Sequence, residues 1–240
     1  MSPSPQDWLA VEKQCKQVLA AADWQALGEL YFHEDGEREW RERRKPVVEL
    51  GLQLARRLAR QVEPGGVSLW VGAGVAELPV LLAESLLLQR TVVACNLLAR
   101  ECEVLNAALA AAAPDASVLY QAGDVREVVG DRRFDQLGCI SLFTDPETWP
   151  MLSGVTYGRL APVQVDVDAF VAEREQAREL AATLFERLDV PAVITTTFEE
   201  ASWFLEQAER RGGLVVDAED ELVETAVVGD PVGFLRVRPG

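Results

Sequence analysis

The chain has 240 residues, 49% of them hydrophobic and 26% charged, enough apolar material for one large domain or two small ones. That composition excludes disorder or a fibrous repeat as a description of the whole. With 39 acidic against 23 basic residues the formal charge is -16, which repels a phosphate backbone and argues against nucleic acid as a partner.

Apolar residues Trp8, Val11, Cys15, Val18 and Leu19 recur at three- and four-residue steps, predicting an amphipathic helix from Asp7 to about Ala22. A second helix is expected over Glu37–Val62, with a kink at Pro46. Arg41, Arg43, Arg44 and Lys45 cluster on it, and Glu37, Glu39 and Glu42 make that cluster read as a solvated face. Glu63-Pro64-Gly65-Gly66 then breaks the pattern, so residues 1–66 read as a helical extension. The acidity lies beyond it: 10 basic and 11 acidic residues precede position 67, and 13 and 28 follow.

From residue 67 short β-rich runs alternate with helical segments. Strands are expected at Val67–Val71, Thr91–Cys95, Val118–Gln121, Phe134–Phe143, Pro191–Thr197, Leu214–Val216 and Val232–Arg238. Helices are expected up to Gln89, up to Ala113, over Asp166–Leu188 and over Glu199–Arg211. Such alternation predicts an α/β fold, a doubly wound parallel sheet covered on both faces in three αβα layers. Ligands of such sheets sit outside the carboxyl ends of the strands, which directs attention to the loops after strands one to four.

Cys15, Cys95, Cys102 and Cys139 show no CxxC spacing and read as packed, reduced thiols, while the lone His33 leaves no material for a zinc site or a histidine triad. No metal is expected. The first ten residues lack the pattern of a signal peptide and no uncharged run is long enough to span a bilayer. The expectation is a cytoplasmic protein with no membrane partner, and six tryptophans allow a contact surface for a homodimer.

The first loop reads Val71-Gly72-Ala73-Gly74-Val75-Ala76-Glu77. Its glycines let the backbone approach a ligand, and the helix that follows offers free amides. A dinucleotide fingerprint needs a small residue where Glu77 stands, and a carboxylate there would repel a pyrophosphate. Further on come Val93-Ala94-Cys95-Asn96, Gln121-Ala122-Gly123-Asp124-Val125 and Phe134-Asp135 leading to Cys139-Ile140-Ser141. Over residues 67–240 this order and spacing resembles the class I S-adenosylmethionine-dependent methyltransferases.

That resemblance implies a Rossmann-like, mostly parallel seven-stranded sheet with an antiparallel last strand. It also implies S-adenosylmethionine as cofactor, with Gly72, Ala73 and Gly74 around the aminoacyl part, Asn96 and Leu97 at the ribose, Asp124 and Val125 at the adenine, and Ser141 completing the set. The chemistry suits those types, because a ribose diol and an exocyclic amine are donors that need acceptors. Two positions depart from the family. Trp70 stands where an acidic residue is usual and cannot accept a hydrogen bond. Asn96 replaces a carboxylate, exchanging a charged bond of roughly 1.5–3 kcal/mol for a neutral one of roughly 1 kcal/mol, about tenfold in affinity.

Methyl transfer is an in-line displacement that depends on positioning and on a nucleophile freed of its proton. Asp145, in the segment after the fourth strand, and Tyr157 are candidate substrate contacts, although Asp145-Pro146 is equally an ordinary turn. Tyr31, Phe32 and His33 are candidates to cap the pocket. The expected function is methylation of a small-molecule substrate. The alternative is a non-catalytic protein of the same fold that binds a nucleotide-like ligand or a protein partner.

Overall fold

The computed structural model describes residues 3–31, 36–224 and 227–240. Three helices, α1 (Pro5–Ala21), α2 (Trp24–Tyr31) and α3 (Gly36–Leu58), precede the sheet. The alternating part runs β1 (Val67–Val71), α4 (Leu78–Leu88), β2 (Thr91–Asn96), α5 (Ala99–Ala112), β3 (Val118–Ala122), α6 (Val125–Val129) and β4 (Phe134–Cys139). It continues through α7 (Pro150–Thr156), α8 (Val167–Glu186), β5 (Leu188–Thr197), α9 (Ala201–Arg211), β6 (Leu214–Ala218) and β7 (Val232–Pro239).

The seven strands lie in the order β3-β2-β1-β4-β5-β7-β6, and β7 is antiparallel to both its neighbours while the β1–β5 pairings are parallel. The order reverses between β1 and β4, which places a ligand crevice at their carboxyl ends. Alternate residues of each central strand serve opposite layers. Trp70, Val92, Ala94 and Tyr120 face α4 and α5, whereas Leu69, Val71, Val93, Cys95, Leu137 and Cys139 face α6 to α9. Both faces are buried, which is why these strands read as continuous apolar runs.

Helix α4, Leu-Pro-Val-Leu-Leu-Ala-Glu-Ser-Leu-Leu-Leu, is apolar around its circumference, and that pattern demands cover on every side. Helices α1 and α3 supply it: Val11, Cys15, Val18, Leu19, Val47, Leu50 and Leu54 join one core with Leu78, Leu81 and Leu82. Gly51 of α3 lies so close that an added Cβ would stand 2.6 Å from Pro79 Cβ. Ser4 starts α1 by a reciprocal cap with Asp7, its Oγ accepting from Asp7 N at 3.3 Å and Asp7 Oδ2 accepting from Ser4 N at 2.7 Å.

Several boundaries differ from the sequence reading. Helix α3 runs unbroken through Pro46. β4 stops at Cys139 because Ser141 adopts a left-handed φ of 57° that ends the extended run. α8 ends at Glu186, and Leu188 instead opens β5, pairing with Phe134 ahead of a register shift at Phe134/Gln136. Pro191, which cannot donate to a ladder, lies in that irregular stretch. Helices α2 and α7 were not anticipated, since eight and seven residues are too few to display a period.

All four cysteines are free and buried. Arg41 pairs with Glu37 at 2.7 Å, and Arg44 stacks 4.3 Å above the Trp24 ring centroid. Among the described residues no helix is long and apolar enough to cross a membrane.

Candidate functional site

The loops after β1, β2 and β3 are stitched together at the carboxyl ends of the strands. Gly72 N donates to Cys95 O at 2.9 Å, Gly123 N to Asn96 O at 3.0 Å, Asn96 Nδ2 to Ala73 O at 3.0 Å, and Tyr120 Oη to Gly74 O at 3.1 Å. The loop after β4 reaches the same place, for a Cβ on Gly72 would lie 3.5 Å from Leu142 Cδ1. Gly72 has φ +70°, a conformation that favours glycine.

At the centre of this region is a carboxylate that the loop motifs do not contain. Glu101 of α5 is fully buried, and it accepts from Asn96 Nδ2 at 2.8 Å, from Val75 N at 3.1 Å and from Tyr31 Oη at 2.5 Å. Gly74 is required for this approach, since a Cβ there would fall 2.6 Å from Glu101 Oε1. Glu77 stands beside it and caps the loop, its Oε2 accepting from Gly74 N at 2.8 Å. Neither carboxylate has an ion pair among the described residues. Burial pushes the Glu77 carboxyl up to about 7, with Glu101 adding to the rise, and burial raises Glu101 as well.

Tyr31 arrives from outside the alternating domain. It closes α2, sits edge-on to Trp40 at 5.7 Å between ring centroids, and Trp40 in turn meets Trp24 at 5.7 Å. This aromatic packing between α2 and α3 fixes the hydroxyl over Glu101. Burial, followed by the Glu101 charge, holds the phenol far above its ordinary range, so at neutral pH it is a donor. Phe32 and His33 lie outside the described residues.

The remaining sequence candidates fall as follows. Asn96 Oδ1 accepts from Leu98 N at 2.9 Å, and Leu97 is 64% exposed at the rim. Asp124 caps α6, accepting from Arg126 N at 2.8 Å and pairing with its guanidinium, which lowers the carboxyl below its ordinary value. Val125 points into the core on the α6–α9 side. Ser141 holds the left-handed turn at the end of β4. Asp145 is used in its own turn, accepting from Thr148 N at 3.0 Å and Glu147 N at 3.3 Å. Tyr157 donates to Asp230 and carries Arg159 4.6 Å above its ring centroid.

Glu200, just beyond β5, holds the loop after β4 in place. Its Oε1 accepts from Phe143 N at 2.6 Å, Thr144 N at 3.1 Å and Thr144 Oγ1 at 3.1 Å, and burial pushes its carboxyl up to about 7. Sequence reasoning did not single out Glu101 or Glu200. The signal for Glu101 was available: with Leu98 three residues before it and Leu105 four after, it lies on the inward stripe of α5. A carboxylate on such a stripe needs partners. For Glu200 nothing local distinguishes it from Glu199.

Trp70 faces α4, away from the loops, and its Nε1 donates to Glu84 at 2.7 Å. The indole needs the space left by Gly138, where a Cβ would lie 2.2 Å from Trp70 Cε3.

No family model matches the sequence, and no curated protein matches it. Solved structures do. Precorrin-6y C5,15-methyltransferase from Geobacter metallireducens GS-15 aligns over 79% of this chain and 88% of its own, at 14% identity and a TM-score of 0.50. TrmN from Thermus thermophilus aligns over 81% of this chain, which spans 52% of that protein's length, at 16% identity and a TM-score of 0.51. The fold is that of the class I methyltransferases. At such identities the likeness concerns architecture, and the chemistry of this methyltransferase fold has to be argued from its own residues.

The residues present fit S-adenosylmethionine in its amino-acid tail. That tail carries a sulfonium, an ammonium and a carboxylate. The site offers the backbone of Gly72 and the carboxyls of Glu77 and Glu101, which have no ion pairs among the described residues, while the open side of Gly74 is taken by Glu101 itself. Asn96 and Asp124, which the resemblance assigns to ribose and adenine, already accept bonds from Leu98 and Arg126, and a ligand would have to use their second lone pairs. Among the described residues no group of acidic, histidine or cysteine side chains is arranged to hold a metal ion.

Proposed function

We propose that this chain is an S-adenosylmethionine-dependent methyltransferase acting on a small-molecule acceptor. The observation that carries the reading is the convergence of Gly72, Gly74, Glu77 and Glu101 at the strand-order reversal, a glycine turn packed on carboxyls that have no ion pair among the described residues. When bound, the cofactor supplies an electrophilic methyl group on a sulfonium.

The chain's residues supply position and charge. Glu101, aligned by Tyr31, Asn96 and Val75 N, and Glu77, aligned by Gly74 N, are the groups to hold the ammonium end. Asn96 and Leu97 would meet the ribose, and Asp124 with the Val125 amide the adenine. Glu200 fixes the segment from Phe143 to Thr144 that follows Ser141, where an acceptor would lie. Tyr157, whose hydroxyl burial and Asp230 push up to about 12, stays protonated at neutral pH and keeps its proton on Asp230, leaving its oxygen lone pairs as acceptors for a bound substrate. A chain with net charge -16 suits a small acceptor better than a nucleic acid.

Calorimetric titration with S-adenosylmethionine and S-adenosylhomocysteine tests this directly. Saturable heat with both is expected, and silence at millimolar ligand removes the cofactor assignment. A second reading, a non-catalytic binder of the same fold, is favoured by Asn96, whose amide spans Ala73 O and Glu101 while its oxygen serves Leu98 N. Binding without methyl release to any acceptor in a small-molecule panel would select it.

A further inference from the structure

On the opposite side of the sheet, where β4 and β5 begin, a hollow of about 570 Å³ is lined by Arg133, Arg187, Gln207, Arg210 and Arg211, with Glu186 on one wall. Four arginines line it beside Glu186, and even with Asp131 and Glu206 paired to Arg187 and Arg210 the local balance is one positive, in a chain whose overall charge is -16. We propose that this hollow binds a phosphorylated small molecule, its phosphate held by the arginine forks and its organic body filling the remainder. The inference is independent of the methyltransferase reading, whose site lies at the other end of the strands.

The arginines come from three places in the chain. Arg133 precedes β4, Arg187 follows α8, and Arg210 and Arg211 end α9. Arg133 Nη1 donates to Leu188 O at 3.1 Å, Arg187 Nη1 to Asp131 Oδ1 at 3.0 Å, and Arg210 Nη2 pairs with Glu206 at 2.6 Å. Each uses a minority of its five donors, and Arg211 has no ion pair among the described residues. Planar forks of this kind match phosphate oxygens two at a time.

A basic residue at a helix end can simply offset the carbonyl dipoles there, and Arg210 and Arg211 stand in the last turn of α9. That explanation does not reach Arg133, which lies outside both helices. It also leaves Gln207 unexplained. This side chain is 7% exposed and lines the hollow, yet its Nε2 has no hydrogen-bond partner. A buried amide donor without an acceptor is costly, and its place in the wall makes this side of the hollow more polar than helix-end arginines require. The volume exceeds what a bare phosphate fills, which is the reason for assigning an organic ester.

The test is calorimetry at low ionic strength with inorganic phosphate and with glucose 6-phosphate as probes, nucleotides being avoided because their adenine could enter the other site. Saturable binding of the ester, tighter than that of phosphate and weakened about tenfold in the Arg133→Ala/Arg211→Ala double variant, is expected. Both side chains are exposed, so an unchanged melting temperature will show that the variant is folded. The Arg126→Ala control should leave binding intact. No saturable heat with either probe at about 10 mM, or equal affinity in the double variant, overturns the proposal.

Discussion

The two ends of β1 both bury carboxylates, and they treat the charge in opposite ways. At the amino end, Ser68, Trp70, Glu84, Arg90 and Asp135 form a closed network. Arg90 has no exposed side-chain surface, yet it donates to Ser68 Oγ at 2.8 Å and Glu63 O at 2.6 Å, pairs with Asp135 and lies 3.6 Å from Glu84. At the carboxyl end, Glu101 and Glu77 receive hydroxyl, amide and backbone donors, with no cation among the described residues. A buried carboxylate with its arginine is complete, whereas one held by neutral donors alone still attracts positive charge. The first arrangement ties α4 to the sheet, and the second leaves carboxyls uncompensated by any cation among the described residues.

The contrast is broken most severely by Arg90→Met. It strands Glu84 and Asp135 without their partner, and the expected loss is about 3–5 kcal/mol in urea unfolding. A loss below about 1 kcal/mol would show that the network is not a closed unit. Glu101→Gln keeps the shape and removes the charge at the other end. Affinity for S-adenosylmethionine should fall by about tenfold or more, with a stability loss of about 1–3 kcal/mol because the amide nitrogen now faces a donor, and unaltered calorimetric affinity would detach Glu101 from the ligand.

Tyr31→Phe removes one donor to Glu101 and should cost about 1 kcal/mol in the same unfolding assay. A separate effect, spread over three groups, is a drift with pH. Glu77, Glu84 and Glu200 are raised from 4.5 to about 7, so the folded chain binds more protons than the unfolded chain across that interval. Their contribution to stability is complete below about pH 4.5 and is lost as pH rises through about 7. The melting temperature should therefore fall between pH 5 and pH 8, and a flat or rising profile would contradict the assignment.

Much of the architecture was legible because it rests on local periodicity. Runs such as Val67–Val71 and Thr91–Asn96, apolar on both faces and separated by helical stretches, declare a covered parallel sheet without any contact being known. The glycine turn at 72 and 74 was readable from its spacing, whereas Asn96, Asp124 and Ser141 were named through the family resemblance. Boundaries governed by single backbone conformations, such as the end of β4 before Ser141, were not legible. Asp145 and Asp124 looked alike as isolated carboxylates, and contacts made by neighbours only a few residues away distinguish a turn from a helix cap.

The amino-acid sequence by itself therefore determined the layered α/β fold, the strand order's consequence for where a ligand lies, and the acidic surface, since each follows from residue spacing and counting. The tertiary structure decided which charges are compensated. Arg90 meets Asp135 across 45 positions, Glu101 meets Tyr31 across 70 positions, and four arginines from three segments gather beneath β4 and β5. Electrostatic balance is a property of distances in space, and distance along the chain carries almost none of it.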